Sequence, residues 1–179
     1  SKFNNFAYDP TVEASKQRNP SLELYDAGID GNLPFPVLFR PEREVDIIIA
    51  SNSSKYPDIN RGRALREAKE WAARAGIKFP PIDHENSYAK FINVYSDPDD
   101  PDCPVVIYLP LKHNALYSDF DPQEVQRAGG YCSTFNFNMT KEQIKELSGL
   151  SQFNMTMADP VIKETIKKVI DIKTKHFSE

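Results

Sequence analysis

Two short apolar runs stand out along the chain. Val45-Asp46-Ile47-Ile48-Ile49-Ala50 is one, and "VVIYLPL" at 105–111 is the other. Each is too short for a buried helix and is bounded by polar or proline-rich sequence. That is the pattern of a central parallel strand covered on both faces. Between them, residues 61–75 place Leu65, Ala68, Trp71, Ala72 and Ala75 on one helical face and Arg and Glu on the other, and Gly76 supplies a stop. "FINVYSD" at 91–97 reads as a further strand. Strand, helix, strand at these lengths indicates an α/β fold.

The flanks are less regular. Residues 1–20 are polar and aperiodic and are expected to pack on something else. Ser21 to Tyr25 alternates and predicts a short strand. Asp26 to Asn32 is a turn in which Gly28 and Gly31 permit positive φ. Leu33 to Phe39, with Pro34 and Pro36, is expected to be extended. "SNSS" at 51–54 puts small polar residues at a strand end, where α/β proteins place sites. Residues 112–132 read as loop and "STFNF" at 133–137 as a short strand. Thr140 predicts a helix to about Leu147. A separate last helix starts at Asp159 and Pro160, with Asp as N-cap and Pro at the first position. Its apolar face is Val161, Ile162, Thr165, Ile166, Val169 and Ile170. Fourteen prolines against seven glycines indicate long, ordered connections. No internal repeat or low-complexity tract is visible.

Composition narrows the function. A chain of 179 residues is one domain or a large piece of one. Its net charge of −4 leaves no basic surplus for phosphates, which argues against nucleic acid as a partner. No apolar run approaches the roughly 20 residues a membrane-spanning helix needs. Cys103 and Cys132 fit no metal spacing and are expected to be free, packed thiols. The sequons at Asn52, Asn138 and Asn154 permit secretion.

Candidate chemistry is sparse. There is no phosphate-binding glycine loop, and "GLSQF" at 149–153 lacks the second glycine of a nucleophile elbow. His84, His113 and His176 form no ligand-spaced pair. The acids Asp97, Asp99, Asp100 and Asp102 lack the glycine turn and terminal Glu of a calcium loop and read as a solvated acidic loop. No metal or cofactor is expected. Asp26 has two readings. It is either an Asx-turn aspartate satisfying nearby backbone N–H groups, or a base at a strand end with glycines that let a substrate or a serine approach.

The stretch "LYDAGIDGNLPFPVLFRPEREVDIIIASNSS" resembles the segment around the dyad aspartate of the cytosolic (group IV) phospholipase A2 and lysophospholipase family. "AKEWAARAGIKFPPID", "DCPVVIYLPL", "STFNF", "LSGLSQFN" and "VIKETIKKVI" resemble later elements of that family in the same order. The resemblance covers roughly residues 21–172 and implies a patatin-related α/β fold, a mixed central sheet flanked by helices, present here as its C-terminal portion. Residues 1–20 would be a lead-in following a break, and 21–179 the C-terminal part of the catalytic domain.

The resemblance also implies a Ser–Asp dyad that hydrolyses acyl esters of phospholipids or lysophospholipids. It assigns Asp26 as the dyad aspartate, with Gly28 and Asn32 in the turn that positions it. Without histidine a carboxylate must serve as base, and a dry site that raises its pKa favours that role. The family's nucleophile elbow, oxyanion glycines and phosphate-binding arginine lie upstream of the aspartate and are not in this sequence. The expected partner is therefore an N-terminal, nucleophile-bearing chain of the same enzyme. The expected location is cytoplasmic, with peripheral contact to a membrane surface. The alternative is a non-catalytic lipid- or protein-binding module derived from the same fold.

Overall fold

Strand β5, Val105–Pro110, has all six of its residues buried. In the computed structural model it is the middle of a three-stranded sheet. The structure describes all residues except 1, 7, 14–18, 25–32, 55–61, 128, 134–135 and 177–179. The chain divides into two compact units, 1–32 and 33–179.

In the first unit, strand β1 (Lys2–Asn4) pairs antiparallel with strand β2 (Ser21–Glu23), with Phe3 opposite Leu22. Asn5 closes the ribbon, its N–H donating to the Pro20 carbonyl at 2.9 Å and its side-chain amide to the Asn19 carbonyl at 2.6 Å. The lead-in thus contains a strand that its polar, aperiodic sequence did not reveal. Three-residue pairing leaves too few alternations to detect.

In the second unit, strand β3 (Ile47–Asn52) runs parallel to β5, in register from Ile47–Val105 to Asn52–Pro110. Strand β4 (Asn93–Tyr95) pairs antiparallel on the other side of β5. The sheet is therefore mixed, as the resemblance implied. Coverage on both faces holds for β5 but not for β3. Ile48, Ala50 and Asn52 are buried while Ile49 is 47% exposed. Among the described residues β3 is an edge strand with one covered face, so its aliphatic run does not report two-sided burial.

Helix α1 (Phe35–Leu38) replaces the extended segment expected after Leu33. Pro36 lies in its first turn, where a missing N–H costs nothing and a fixed φ near −65° suits the helix. Phe35 stacks on Phe39 with centroids 5.6 Å apart and meets the Phe79 ring edge-on at 5.7 Å. A 3-10 turn follows at Pro41–Arg43. Helix α2 (Arg63–Ala75) buries Leu65, Ala68 and Ala72, and the first two join Ile48, Ala50, Val106 and Tyr108 in one core cluster. Gly76 ends the helix at φ 65°, its N–H reaching back to the carbonyls of Ala72 and Ala73.

Gly62 precedes α2 at φ 64°, and a Cβ there would collide with the His84 carbonyl. Gly62→Ala should therefore destabilise the fold by at least about 2 kcal/mol, combining a left-handed backbone with a backbone clash. Equilibrium urea unfolding measures this; a loss below about 0.5 kcal/mol would mean that the turn relaxes freely.

One helix lies where loop was expected, and one expected strand is missing among the described residues. Helix α3 (Pro122–Gln126) starts at Asp121, whose carboxylate accepts from the Gln123 N–H at 2.9 Å. Of "STFNF", the described residues Ser133, Asn136 and Phe137 lie in no strand. Helix α4 (Lys141–His176) is continuous through Pro160, so the two expected helices are one. Its start is the expected one. Thr140 Oγ1 accepts from the Gln143 N–H at 3.3 Å, and Gln143 Oε1 accepts from the Thr140 N–H at 2.8 Å, a reciprocal capping box. Cavities lined jointly by Leu109 and Asn154, and by Val105 and Val169, place α4 along the sheet face away from α2.

Candidate functional site

The expected site residues Asp26, Gly28 and Asn32 lie outside the described residues. What the structure describes is the carboxyl end of the parallel pair β3–β5, the edge at which open α/β sheets bind ligands. The Asn52 side chain sits there, buried. Its amide nitrogen donates to the Tyr108 hydroxyl at 2.7 Å. Its oxygen accepts the Ser54 N–H at 2.9 Å and also the Ser54 hydroxyl. The Asn52 carbonyl takes the Leu111 N–H at 2.8 Å, and Gln126 Nε2 donates to the Ser53 carbonyl at 3.3 Å. Burial is the main force raising the Tyr108 hydroxyl above its ordinary range, and the bond from Asn52 opposes it.

A second buried amide lies beside the first. Asn154, from α4, donates to the Lys112 carbonyl at 3.1 Å and accepts from Asn114 Nδ2 at 2.7 Å. Tyr88 donates to the Leu111 carbonyl at 2.9 Å, and Lys112 lies over the Tyr88 ring with Nζ 4.9 Å from its centroid. These bonds pin the chain as it leaves β5. A cavity of about 90 Å³ opens beside them, lined by Ser51, Ser53, Leu109, Ser151, Asn154 and Met155, among others. The strand end flagged by "SNSS" is therefore a hydrogen-bonded lock with a small recess of mixed polar and apolar lining. Two of the three sequon asparagines, Asn52 and Asn154, are buried parts of this lock, while Asn138 is exposed.

Asn52→Ala should cost about 1–3 kcal/mol, because it strands the buried Tyr108 hydroxyl. Adding Tyr108→Phe should recover part of that loss by removing the orphaned group. If thermal unfolding of the double variant were no better than that of Asn52→Ala, the hydroxyl would not be the source of the cost.

The other candidate chemistry is structural. Lys78 contacts Asp100 at 2.8 Å and holds its carboxyl below the usual range. Lys173 bridges Asp46 at 3.1 Å and Asp102 at 3.3 Å. The acidic loop thus faces lysines, and among the described residues no group of three or more His, Cys, Asp or Glu side chains could hold a metal ion. Cys103 and Cys132 are free thiols. Burial, then Asp97 and Asp100, push Cys103 up to about 11, so it stays protonated and unreactive at neutral pH. A ring nitrogen of His113 lies 2.9 Å from the Phe120 carbonyl.

Sequence reading missed Tyr108, Asn114 and Asn154. The signal for Tyr108 was present, since a tyrosine inside an aliphatic strand needs a partner for its hydroxyl. Asn114 and Asn154 are 40 residues apart, and no local pattern links them.

No family model matches the chain. It is 28% identical to mouse cytosolic phospholipase A2 delta over 178 residues, covering 90% of this chain and 21% of that protein. Human GIVD cytosolic phospholipase A2 superimposes with a TM-score of 0.72 at 22% identity, over 86% of this chain and 22% of that one. The same human enzyme in complex with methyl gamma-linolenyl fluorophosphonate gives 0.65 at 22% identity, over 87% and 25%. The chain therefore spans about a fifth to a quarter of the relatives it matches. Over most of its length, it is homologous to a segment of cytosolic phospholipase A2 delta and shares the patatin-like fold of the group IV catalytic domain.

Proposed function

We propose that this chain is the aspartate-bearing part of a phospholipase A2- or lysophospholipase-type hydrolase working through a Ser–Asp dyad. The observation that carries the reading is the homology to cytosolic phospholipase A2 delta along nine-tenths of the chain, with Asp26 inside the stretch that resembles the dyad segment. In this mechanism Asp26 takes the proton of a serine hydroxyl as the serine attacks an acyl ester carbonyl. The ester C–O bond breaks as Asp26 passes that proton to the departing lysophospholipid or glycerophosphodiester alcohol, which returns Asp26 to its carboxylate form. An acyl-serine remains. Water, deprotonated by Asp26, then attacks it and releases the fatty acid. Gly28 and Asn32 shape the turn that presents the carboxylate.

The serine comes from a nucleophile-bearing segment or partner chain. An edge strand supports that reading. Among the described residues β3 lies at the sheet edge and carries an exposed Ile49, and exposed strand edges in stable proteins are normally covered. The substrate is presented at a membrane surface through peripheral contact, and among the described residues no helix is long and apolar enough to cross a membrane. A cytoplasmic site of action fits the homology.

The test is labelling with a fluorophosphonate, the class of compound bound to the human relative. The expected result is a labelled polypeptide co-purifying with this 20.4 kDa chain, with ester hydrolysis lost in step with labelling. An unlabelled, folded monomer with no hydrolysis would overturn the proposal.

A further inference from the structure

Helix α4 changes character at Pro160. On its N-terminal side Leu150, Asn154 and Ala158 are buried at successive four-residue intervals. On its C-terminal side no residue from 159 to 175 is buried. Pro160 has no N–H, so the Thr156 carbonyl loses its helical donor, and the proline ring crowds that same carbonyl. Helices bend at such points.

Beneath the distal half lie two adjoining cavities of about 360 and 350 Å³. They share Ser96, Val105, Val169 and Ile172. Both open to solvent, so this half of the helix lies over a groove and not on a closely packed core. Its ion pairs Lys163–Asp159 and Lys168–Glu164 stay within the helix. Lys173 is different. It reaches across to Asp46, just before β3, and to Asp102, in the acidic loop.

We propose that residues 161–176 are a strap, hinged at Pro160 and latched by Lys173, that swings off an apolar groove floored by Val94 and Val105. The proline within the helix, the groove beneath the strap and the cross-linking lysine converge on one motion. The latch is electrostatic and partly solvated, so it is weak and yields to salt. The proximal half is held by buried side chains and stays put when the latch opens.

Amide hydrogen exchange on the purified protein tests this. Amides of 163–175 should exchange about tenfold or more faster than those of 150–158, since local opening needs less than global unfolding. Lys173→Met keeps the aliphatic stem and removes the charge; it should speed the distal amides a further three- to tenfold or so and leave the proximal ones unchanged. Salt on the order of 1 M should do the same to the natural sequence and add nothing to the variant. Pro160→Ala should slow distal exchange toward the proximal rate. Uniform protection along α4 would overturn the strap, as would Lys173→Met speeding both halves equally. Distal exchange unmoved by Pro160→Ala would overturn the hinge.

Discussion

Asp26→Asn should lower acyl-ester hydrolysis by on the order of 10³- to 10⁴-fold in the complete enzyme, because an amide of the same shape cannot take the serine proton. The loss should fall on kcat, since the substrate contacts are unchanged and only proton transfer in the transition state is removed. Fluorophosphonate labelling should slow in parallel, as it needs the same activated serine. Unfolding should move by less than about 1 kcal/mol, because asparagine keeps the turn-forming oxygen of aspartate. Steady-state kinetics on phospholipid vesicles and a thermal melt together decide the matter. Retained turnover with a lowered melting temperature would make Asp26 a turn residue only. The chain would then be better read as a lipid- or protein-binding module on the same fold.

Phe35→Ala should be the most damaging of the simple core truncations, at about 3–5 kcal/mol. Phe35 is 1% exposed and touches two other rings, Phe39 and Phe79. Removing it deletes both ring contacts and leaves a cavity between α1 and the core face of the sheet. The internal control is Phe137→Ala. Phe137 is 88% exposed, and its truncation should change stability by less than about 0.5 kcal/mol. The comparison in urea decides whether the aromatic cluster holds this end of the fold. Similar small losses for both would mean that the cluster contributes little.

How much of this was legible in the sequence varies element by element. Helix α2 was read from the spacing of Leu65, Ala68 and Ala72 and from its glycine stop. Both are local, since a 3.6-residue period and a left-handed cap are set within one turn. Strands β4 and β5 were likewise read from short β-rich runs. The segment at 35–38 was misread because proline forbids a helix interior but suits a first turn, and only the stacking of Phe35 on Phe39 selects the latter. At Asp159–Pro160 the local signal for a helix start was sound in kind, yet the chain continues as one helix. Leu150, Asn154 and Ala158 pack on the core just ahead of the proline and carry the helix up to it.

The site divides the same way. Asp26 was reached through resemblance, not through periodicity, because one aspartate in a glycine turn has no local pattern that separates base from turn former. Asn52 and Asn154 looked like glycosylation sequons, and the structure makes them buried braces for Tyr108 and Asn114. By itself the sequence determined helix α2 and the strands β3, β4 and β5 of the α/β core, because hydrophobic period acts over a few residues. Only the tertiary structure decided that β5 is central and β3 an edge, that α4 runs unbroken through Pro160, and that Lys173 bridges Asp46 and Asp102. Those outcomes depend on contacts between residues tens of positions apart, and no local pattern encodes them.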